Sequence, residues 1–327
     1  MDFSVFVTRH LTPQAEEKLN AFCQVAYWPE QTPPPYQVLV EKTKAVDGLI
    51  CLLTDPVDAG VIGQAERLKV ISQVAVGVDN IDLVAAAARG IPVGHTPDLL
   101  TDATADLTFA LILAAARRMG EAIDYARSGR WQTWGLTTLL GESVHGATLG
   151  IIGMGRIGQA VARRAQGFNM PLLYVNTSPL PTMDRELGMT QVNLEALLDQ
   201  ADIVSLHVPL NDSTRGLIGS VQLARMKPDS ILVNTARGAV VDTDALVSAL
   251  KTGQTGYAAL DVTDPEPLPP SHELYQLPNV LILPHIGSAT RTAREQMSLL
   301  AVDNLIAGLQ GNPLPKSVQL PNGITSE

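Results

Sequence analysis

The chain has few of the marks of a secreted, membrane-bound or nucleic-acid-binding protein. Among its 327 residues there are two cysteines, Cys23 and Cys51, too few for a disulfide framework. Each lies in an apolar stretch, so both read as buried free thiols of a reducing cytosol. Lysine and arginine number 23 against 33 acids, for a formal net charge of −10, and no basic run occurs. That argues against nucleic acid or an anionic membrane as the main partner. Long apolar runs are absent too. The most hydrophobic stretch, Leu107 to Ala116 between Asp106 and Arg117, falls short of the roughly 20 residues that a membrane span needs and reads as a buried helix. The N-terminus, MDFSVFVTRHL, carries Asp2 and no extended apolar segment, so no signal peptide is expected and the location expected is cytoplasmic.

What is present is the composition of a globular protein with a sizeable core, 46% hydrophobic and 17% charged, in a chain long enough for two domains. The most informative stretch is Thr148 to Ala165, TLGIIGMGRIGQAVARRA. A short apolar strand, Leu149 to Ile152, leads into a G-x-G-x-x-G at Gly153, Gly155 and Gly158, and an amphipathic helix follows. In such a strand-turn-helix the first glycine permits the tight turn. The second lets the backbone approach a pyrophosphate, and the third lets the helix pack closely on the strand. The helix N-terminus offers free N–H groups and a positive dipole end. Arg156 and Ile157 lie inside the same turn.

The first hundred residues alternate strand-like segments (Phe3–Val7, Gln24–Tyr27, Gly48–Leu53, Val70–Val76, Pro92–His95) with helical ones such as Pro13–Phe22 and Leu83–Arg89. This pattern implies a mostly parallel sheet covered on both faces. It has no glycine fingerprint. Its candidate contact is VAVGVDN, Val74–Asn80, where Gly77 at a strand end could present backbone N–H groups to a small anion, although a plain βα turn is an equally good account. A long helix is expected from Thr101 to about Met119, capped at Thr101 or Asp102 and apolar on more than one side. Residues 128–146 read as irregular and hold Trp131 and Trp134. After the fingerprint, strands are expected at Leu172–Asn176, Asp202–His207, Ser230–Asn234, Tyr257–Val262 and Val280–Leu283. Helices are expected near Asn193–Asp199, Val221–Met226 and Asp242–Lys251, and a final helix at Thr290–Leu309 returns to the first sheet. The expected architecture is α/β, with two doubly wound parallel-sheet domains. One is a discontinuous, flavodoxin-like outer domain of residues 1–99 and 286–327. The other is a Rossmann dinucleotide domain of residues 100–285, with ligands favoured at the domain interface.

Three side chains just beyond strands of the second sheet form a candidate constellation. His285 follows Pro284 and precedes the small-residue turn Gly287–Ser288–Ala289; a histidine titrates near neutrality, as a proton donor and acceptor should. Glu266 lies in the proline-rich TDPEPLPP, and a carboxylate beside an imidazole fixes its orientation and favours its charged form. Arg237, in VNTARGAVVD, could clamp a carboxylate through two parallel N–H···O bonds. Singly, each could be a surface or structural residue; together, beside a dinucleotide site, they point to chemistry on an oxo acid.

These segments, with GIPVGHTPDLLTDATADL, LDVTDPEPLP and PHIGSATRTAREQMSLLAVDNL, resemble the D-2-hydroxy acid dehydrogenases, and within them the glyoxylate/hydroxypyruvate reductase branch. The resemblance covers nearly the whole chain. It implies that Arg237 binds and polarises the oxo acid, that His285 is the acid/base and that Glu266 pairs with it. It further implies that Val76 and Gly77 hold the substrate carboxylate through N–H groups and that Ser288 lies beside the pocket. The cofactor would be contacted by the fingerprint, by Asn176, Thr177 and Ser178, and by Pro209, Thr235, Asp261 and Gly287, with Asp261 near the nicotinamide. No metal is called for. A homodimer through the nucleotide domains is implied, with the Trp131–Trp134 loop near the partner. An NAD enzyme has an acid about 20 residues past the first glycine to bind the ribose 2′-OH. Here Asn176, Thr177 and Ser178 stand in that window, so NADP(H) is expected to be favoured and NAD(H) tolerated. Glu266, where formate dehydrogenases tend to have Gln, and Val76, where phosphite dehydrogenases have lysine, argue against those activities. Another 2-oxo acid as substrate, or an NAD(H)-sensing corepressor-type protein of the same fold, are the alternatives.

Overall fold

The structure, a computed structural model, describes residues 3–318. The chain divides into two compact units, one formed by residues up to Leu100 together with those from Ala289 onward, the other by Thr101–Ser288. The second boundary falls after Ser288 rather than after His285. Its cause is local: the Asp261 carboxylate accepts the N–H groups of Ile286 and Gly287, each at 2.7 Å, and so ties those residues to the central sheet.

The terminal unit holds β1 (Ser4–Val7), β2 (Gln24–Tyr27), β3 (Gly48–Cys51), β4 (Val70–Gln73) and β5 (Val93–Gly94), all parallel, in the order β2-β1-β3-β4-β5. This is the flavodoxin-like order. Side chains alternate across the sheet as the strand period requires. Val5, Val7, Ile50 and Val70 enter one core with Met297, Ala301 and Leu305 of the helix Arg291–Leu309, while Phe6, Leu49, Cys51 and Ile71 enter the other. Cys23 and Cys51 are buried and free.

The central unit holds β6 (Leu149–Ile152), β7 (Leu172–Val175), β8 (Met189–Gln191), β9 (Ile203–Leu206), β10 (Ile231–Asn234), β11 (Tyr257–Leu260) and β12 (Val280–Ile282). All are parallel, in the order β12-β11-β10-β9-β6-β7-β8. The order reverses between β6 and β9, the switch point at which doubly wound sheets bind dinucleotides. The helix Thr101–Ala116 covers one face, packed on the helix Arg156–Ala165 and on β10 and β11. It starts at Thr101 itself, with Asp102 inside its first turn rather than as a cap, and it stops short of Met119. Arg118 takes the left-handed conformation (φ 50°), which a continuous helix cannot contain, and a second helix, Met119–Arg127, starts after it. The following segment forms no helix or strand and exposes Trp131 and Trp134, at 66% and 79%.

Both sheets are pinned at their N-terminal edge by an aspartate. Asp47 Oδ2, before β3, accepts from the Ser4 N–H (2.9 Å), the Ser4 hydroxyl (3.2 Å) and the Arg67 guanidinium (2.9 Å). Asp202, before β9, accepts from the Thr148 N–H and the Lys227 ammonium. Burial by itself would raise the Asp47 carboxyl, but the Ser4 N–H, the Arg67 guanidinium and the Ser4 hydroxyl outweigh it and hold it below its ordinary value. A carboxyl depressed in the folded state stabilises above its unfolded pKa, and that stability is lost as the pH falls through the folded value. Asp47→Asn is therefore expected to cost about 1–3 kcal/mol at neutral pH, with the gap to the parent closing in acid. Urea denaturation in neutral and acid buffers checks this, and equal midpoints at neutral pH would contradict it.

Candidate active site

Because every strand of the central sheet runs the same way, the loops leaving them open on one edge. The central-unit residues named as candidate cofactor and substrate contacts stand there. Gly153, Gly155, Arg156, Ile157 and Gly158 follow β6, and Asn176, Thr177 and Ser178 follow β7. Pro209 follows β9; Thr235 and Arg237 follow β10. Asp261 and Glu266 follow β11, and His285, Gly287 and Ser288 follow β12.

The three glycines of the first loop have three different environments. Gly153 sits at φ +96°, closed to most side chains, and an added Cβ would lie 2.7 Å from the His207 backbone. A Cβ on Gly158 would lie 2.2 Å from the Gly153 carbonyl oxygen, so the helix packs on the loop only with glycine there. Gly155, the N-cap of the helix, has φ −71° and nothing within 4 Å of its Cβ direction. Neither strain nor packing requires glycine at that point; an open approach to the helix N-terminus does, and a pyrophosphate fits it. Asn176 braces the same loop. Its Oδ1 accepts the Met154 N–H at 3.2 Å and its Nδ2 donates to the Ser178 carbonyl at 2.9 Å, while Thr177 and Ser178 are exposed.

Further along the edge, the adjacency of β11 and β12 brings together two side chains far apart in sequence. His285 Nδ1 and Glu266 Oε1 lie 2.6 Å apart, with side chains 23% and 30% exposed. His285 is itself in the left-handed region (φ 55°), which is costly for a residue with a Cβ. Asp261 imposes it. Its carbonyl accepts the His285 N–H at 2.8 Å, and its two carboxylate oxygens take the next two N–H groups. Asp261 is 1% exposed, and burial raises its carboxyl against the lowering effect of those two N–H groups. Expected as a nicotinamide neighbour, it has a structural task that the sequence did not reveal. Arg237 is carried on a turn stapled by buried Asn234, whose Nδ2 donates to the Arg237 carbonyl (2.8 Å) and whose Oδ1 accepts the Ala236 N–H (3.0 Å). The Thr235 hydroxyl is linked to Thr108 Oγ1 at 3.0 Å.

His207 was missed in the sequence, although it obeys the rule that found Arg237 and His285: it directly follows a strand, β9, at the switch point. Its Nε2 lies 2.8 Å from the buried Ser205 hydroxyl, and burial pushes its imidazole down to about 3. It therefore stays neutral at physiological pH and cannot deliver a proton as an imidazolium. In the terminal unit, Val76 and Gly77 lie in the loop leaving β4, and both are half-buried.

A dinucleotide loop, an imidazole–carboxylate pair and an arginine on one edge of one sheet make a hydride-transfer site on an acid substrate chemically reasonable. Residues 109–287, more than half of the chain, match the family described as D-isomer specific 2-hydroxyacid dehydrogenase, NAD binding domain. The chain belongs to that family. Like other D-isomer specific 2-hydroxyacid dehydrogenases, it is an oxidoreductase that uses a nicotinamide dinucleotide. Its resemblance to glyoxylate reductases holds across nearly its whole length. A glyoxylate reductase of Thermococcus litoralis is 48% identical over 318 residues, covering 96% of this chain and 96% of that protein. A crystal structure of a Thermus thermophilus protein is 50% identical with a TM-score of 0.91, covering 97% of this chain and 100% of that one. An NADPH-dependent glyoxylate/hydroxypyruvate reductase of Sinorhizobium meliloti, solved with NADP and malonate, is 32% identical with a TM-score of 0.87, covering 97% of each chain.

Proposed function

We propose that this dehydrogenase reduces glyoxylate and hydroxypyruvate to glycolate and D-glycerate, favouring NADP(H) and tolerating NAD(H). The observation that carries the proposal is the His285–Glu266 pair, 2.6 Å apart on the sheet edge that also bears the dinucleotide loop. The substrates are those in the names of its relatives.

When bound, the reduced nicotinamide supplies the hydride that the carbonyl carbon receives. The chain supplies the rest. Gly153, Gly155, Arg156, Ile157 and Gly158 hold the pyrophosphate, Thr177 and Ser178 face the ribose, and Pro209, Thr235, Asp261 and Gly287 complete the cofactor contacts. Arg237 binds the oxo acid and stabilises the negative charge that grows on its oxygen. Protonated His285 gives its proton to that oxygen, and Glu266, 2.6 Å from its Nδ1, orients the ring. Val76, Gly77 and Ser288 are our candidates for the remaining substrate contacts.

The cofactor preference rests on the end of β7. Residues 176–178 carry no carboxylate to repel a 2′-phosphate, and with the Asn176 side chain engaged by the loop, the exposed Thr177 and Ser178 hydroxyls are the candidate donors. Hydroxyls bind phosphate less strongly than a guanidinium would, so the expected preference is modest. Comparing kcat/KM for glyoxylate, hydroxypyruvate, pyruvate and phenylpyruvate with NADPH and with NADH tests both parts. A clear NADH preference would overturn the cofactor assignment, and better turnover of phenylpyruvate than of glyoxylate would overturn the substrate. We also propose a homodimer formed through the central unit, whose segment after Arg127 exposes Trp131, Trp134, Leu136 and Leu140, side chains that a partner would cover. A monomeric mass by light scattering would contradict it.

A further inference from the structure

The loop leaving β4 has its carbonyl groups engaged one after another. The Ala75 carbonyl accepts the Thr96 N–H at 2.9 Å. The Val76 carbonyl accepts from the His95 ring Nδ1 at 3.0 Å, and the Gly77 carbonyl from the Gln73 side-chain amide at 3.3 Å. In a trans peptide the N–H points opposite to the C=O. The N–H groups of Val76, Gly77 and Val78 are thus turned away from the groups that hold those carbonyls. Among the described residues none of the three N–H groups meets an acceptor. All three residues are half-buried, where an unmatched N–H is costly, so these consecutive N–H groups are open to an anion, as the donors of a backbone nest would be.

The two side chains that hold the carbonyls are themselves fixed. Gln73 is fully buried. Its amide also donates to Asn80 Oδ1 at 2.7 Å, and its carbonyl accepts from the Cys51 thiol at 3.1 Å. Asn80 in turn donates to the Leu52 and Asp55 carbonyls at 3.0 and 2.8 Å, anchoring the far end of the loop to the segment that leaves β3. The His95 backbone is held from both sides: its N–H donates to the Lys316 carbonyl at 3.1 Å, and its carbonyl accepts from buried Asn304 at 3.0 Å. To reach the Val76 carbonyl the ring must carry its proton on Nδ1.

We propose that His95 and Gln73 are positioning residues for the reaction: by holding the Val76 and Gly77 carbonyls they aim the Val76, Gly77 and Val78 N–H groups at the carboxylate of the 2-oxo acid. This rests on the reading of the chain as a 2-oxo acid reductase. It goes beyond that reading by assigning the affinity for the acid to two residues that do not touch it, and by adding Val78 to the donors. A network that merely stabilised the fold would affect substrate and cofactor alike; an aiming network affects the acid alone.

Steady-state kinetics on the full-length protein separate these. At saturating cofactor, His95→Ala is expected to raise the KM for glyoxylate about tenfold, with the cofactor KM within about twofold of the parent. The inhibition constant of oxalate, used as an unreactive carboxylate probe, rises by the same factor. His95→Gln, whose amide can donate to the Val76 carbonyl, recovers most of the loss. Gln73→Glu keeps the shape but cannot donate and brings a negative charge near the nest, so its glyoxylate KM rises further. A glyoxylate KM in His95→Ala within about twofold of the parent, or equal losses for acid and cofactor that glutamine does not recover, overturns the assignment. If the parent itself turns over no 2-oxo acid, the functional reading has failed, and that result appears before any variant is compared.

Discussion

Replacing His285 with alanine is expected to lower kcat by about two to four orders of magnitude, the usual contribution of a positioned acid–base group. Two histidines stand at the ligand edge of the central sheet, and their environments separate their roles. His207 is held neutral by burial and is paired with Ser205, so it cannot substitute as the acid. His285 faces Glu266, 2.6 Å from its Nδ1, which orients the ring. The left-handed backbone at His285 is set by Asp261 through main-chain N–H groups, which alanine retains, so the variant should keep its fold and its cofactor affinity. Measuring kcat with the best 2-oxo acid, together with cofactor binding by fluorescence, checks both halves. Near-normal turnover would remove His285 from the mechanism. Glu266→Gln keeps the shape of the pair but not its charge, and a smaller fall in kcat is expected.

The sequence exposed this site because parallel sheets obey a simple rule: ligands gather at the carboxyl ends of strands. Arg237, Glu266 and His285 could each be marked as just beyond a strand, and the roles proposed for them came from the resemblance. Local pattern alone could not show that Glu266 and His285 meet, since their contact depends on β11 and β12 being neighbours; only the resemblance implied the pair. Nor could it show what Asp261 does, because three hydrogen bonds to the His285 turn leave no trace in local pattern. The same limit applies to the terminal unit, where His95 reaches the VAVGVDN loop only through the adjacency of β4 and β5. Elements were missed for physical reasons too. β8 has three residues, only the first of them buried, and so lacks an alternating signal, and the helix Pro181–Leu187 buries no residue at all. The helix from Thr101 was read as too long because nothing in Arg117–Arg118 announces a left-handed residue; only its surroundings impose one. The helix starts near Asn193 and Asp242 were legible because the information is local: in the structure each residue is the N-cap, its side chain accepting an N–H of the first turn.

The glycine fingerprint yields the other large expected effect, and it separates a glycine required by the ligand from one required by the fold. Gly155→Ala should melt close to the parent in the absence of cofactor, because its backbone angles suit any residue and its Cβ direction is open. The same methyl group would stand where the backbone must approach the pyrophosphate, so the cofactor KM is expected to rise about tenfold or more, equivalent to at least about 1.4 kcal/mol of binding. Gly158→Ala should behave in the opposite sense. Its Cβ would fall 2.2 Å from the Gly153 carbonyl oxygen, an overlap that the helix Arg156–Ala165 relieves only by lifting off β6. That should cost about 1–3 kcal/mol of stability before any cofactor is added. Thermal melts without cofactor and cofactor titrations on both variants decide the matter. If Gly155→Ala kept the parent's cofactor KM, the open side of the loop would not be the pyrophosphate site, and the cofactor would have to be held elsewhere on the edge. If Gly158→Ala melted like the parent, the close helix-to-loop contact would not be what demands glycine there.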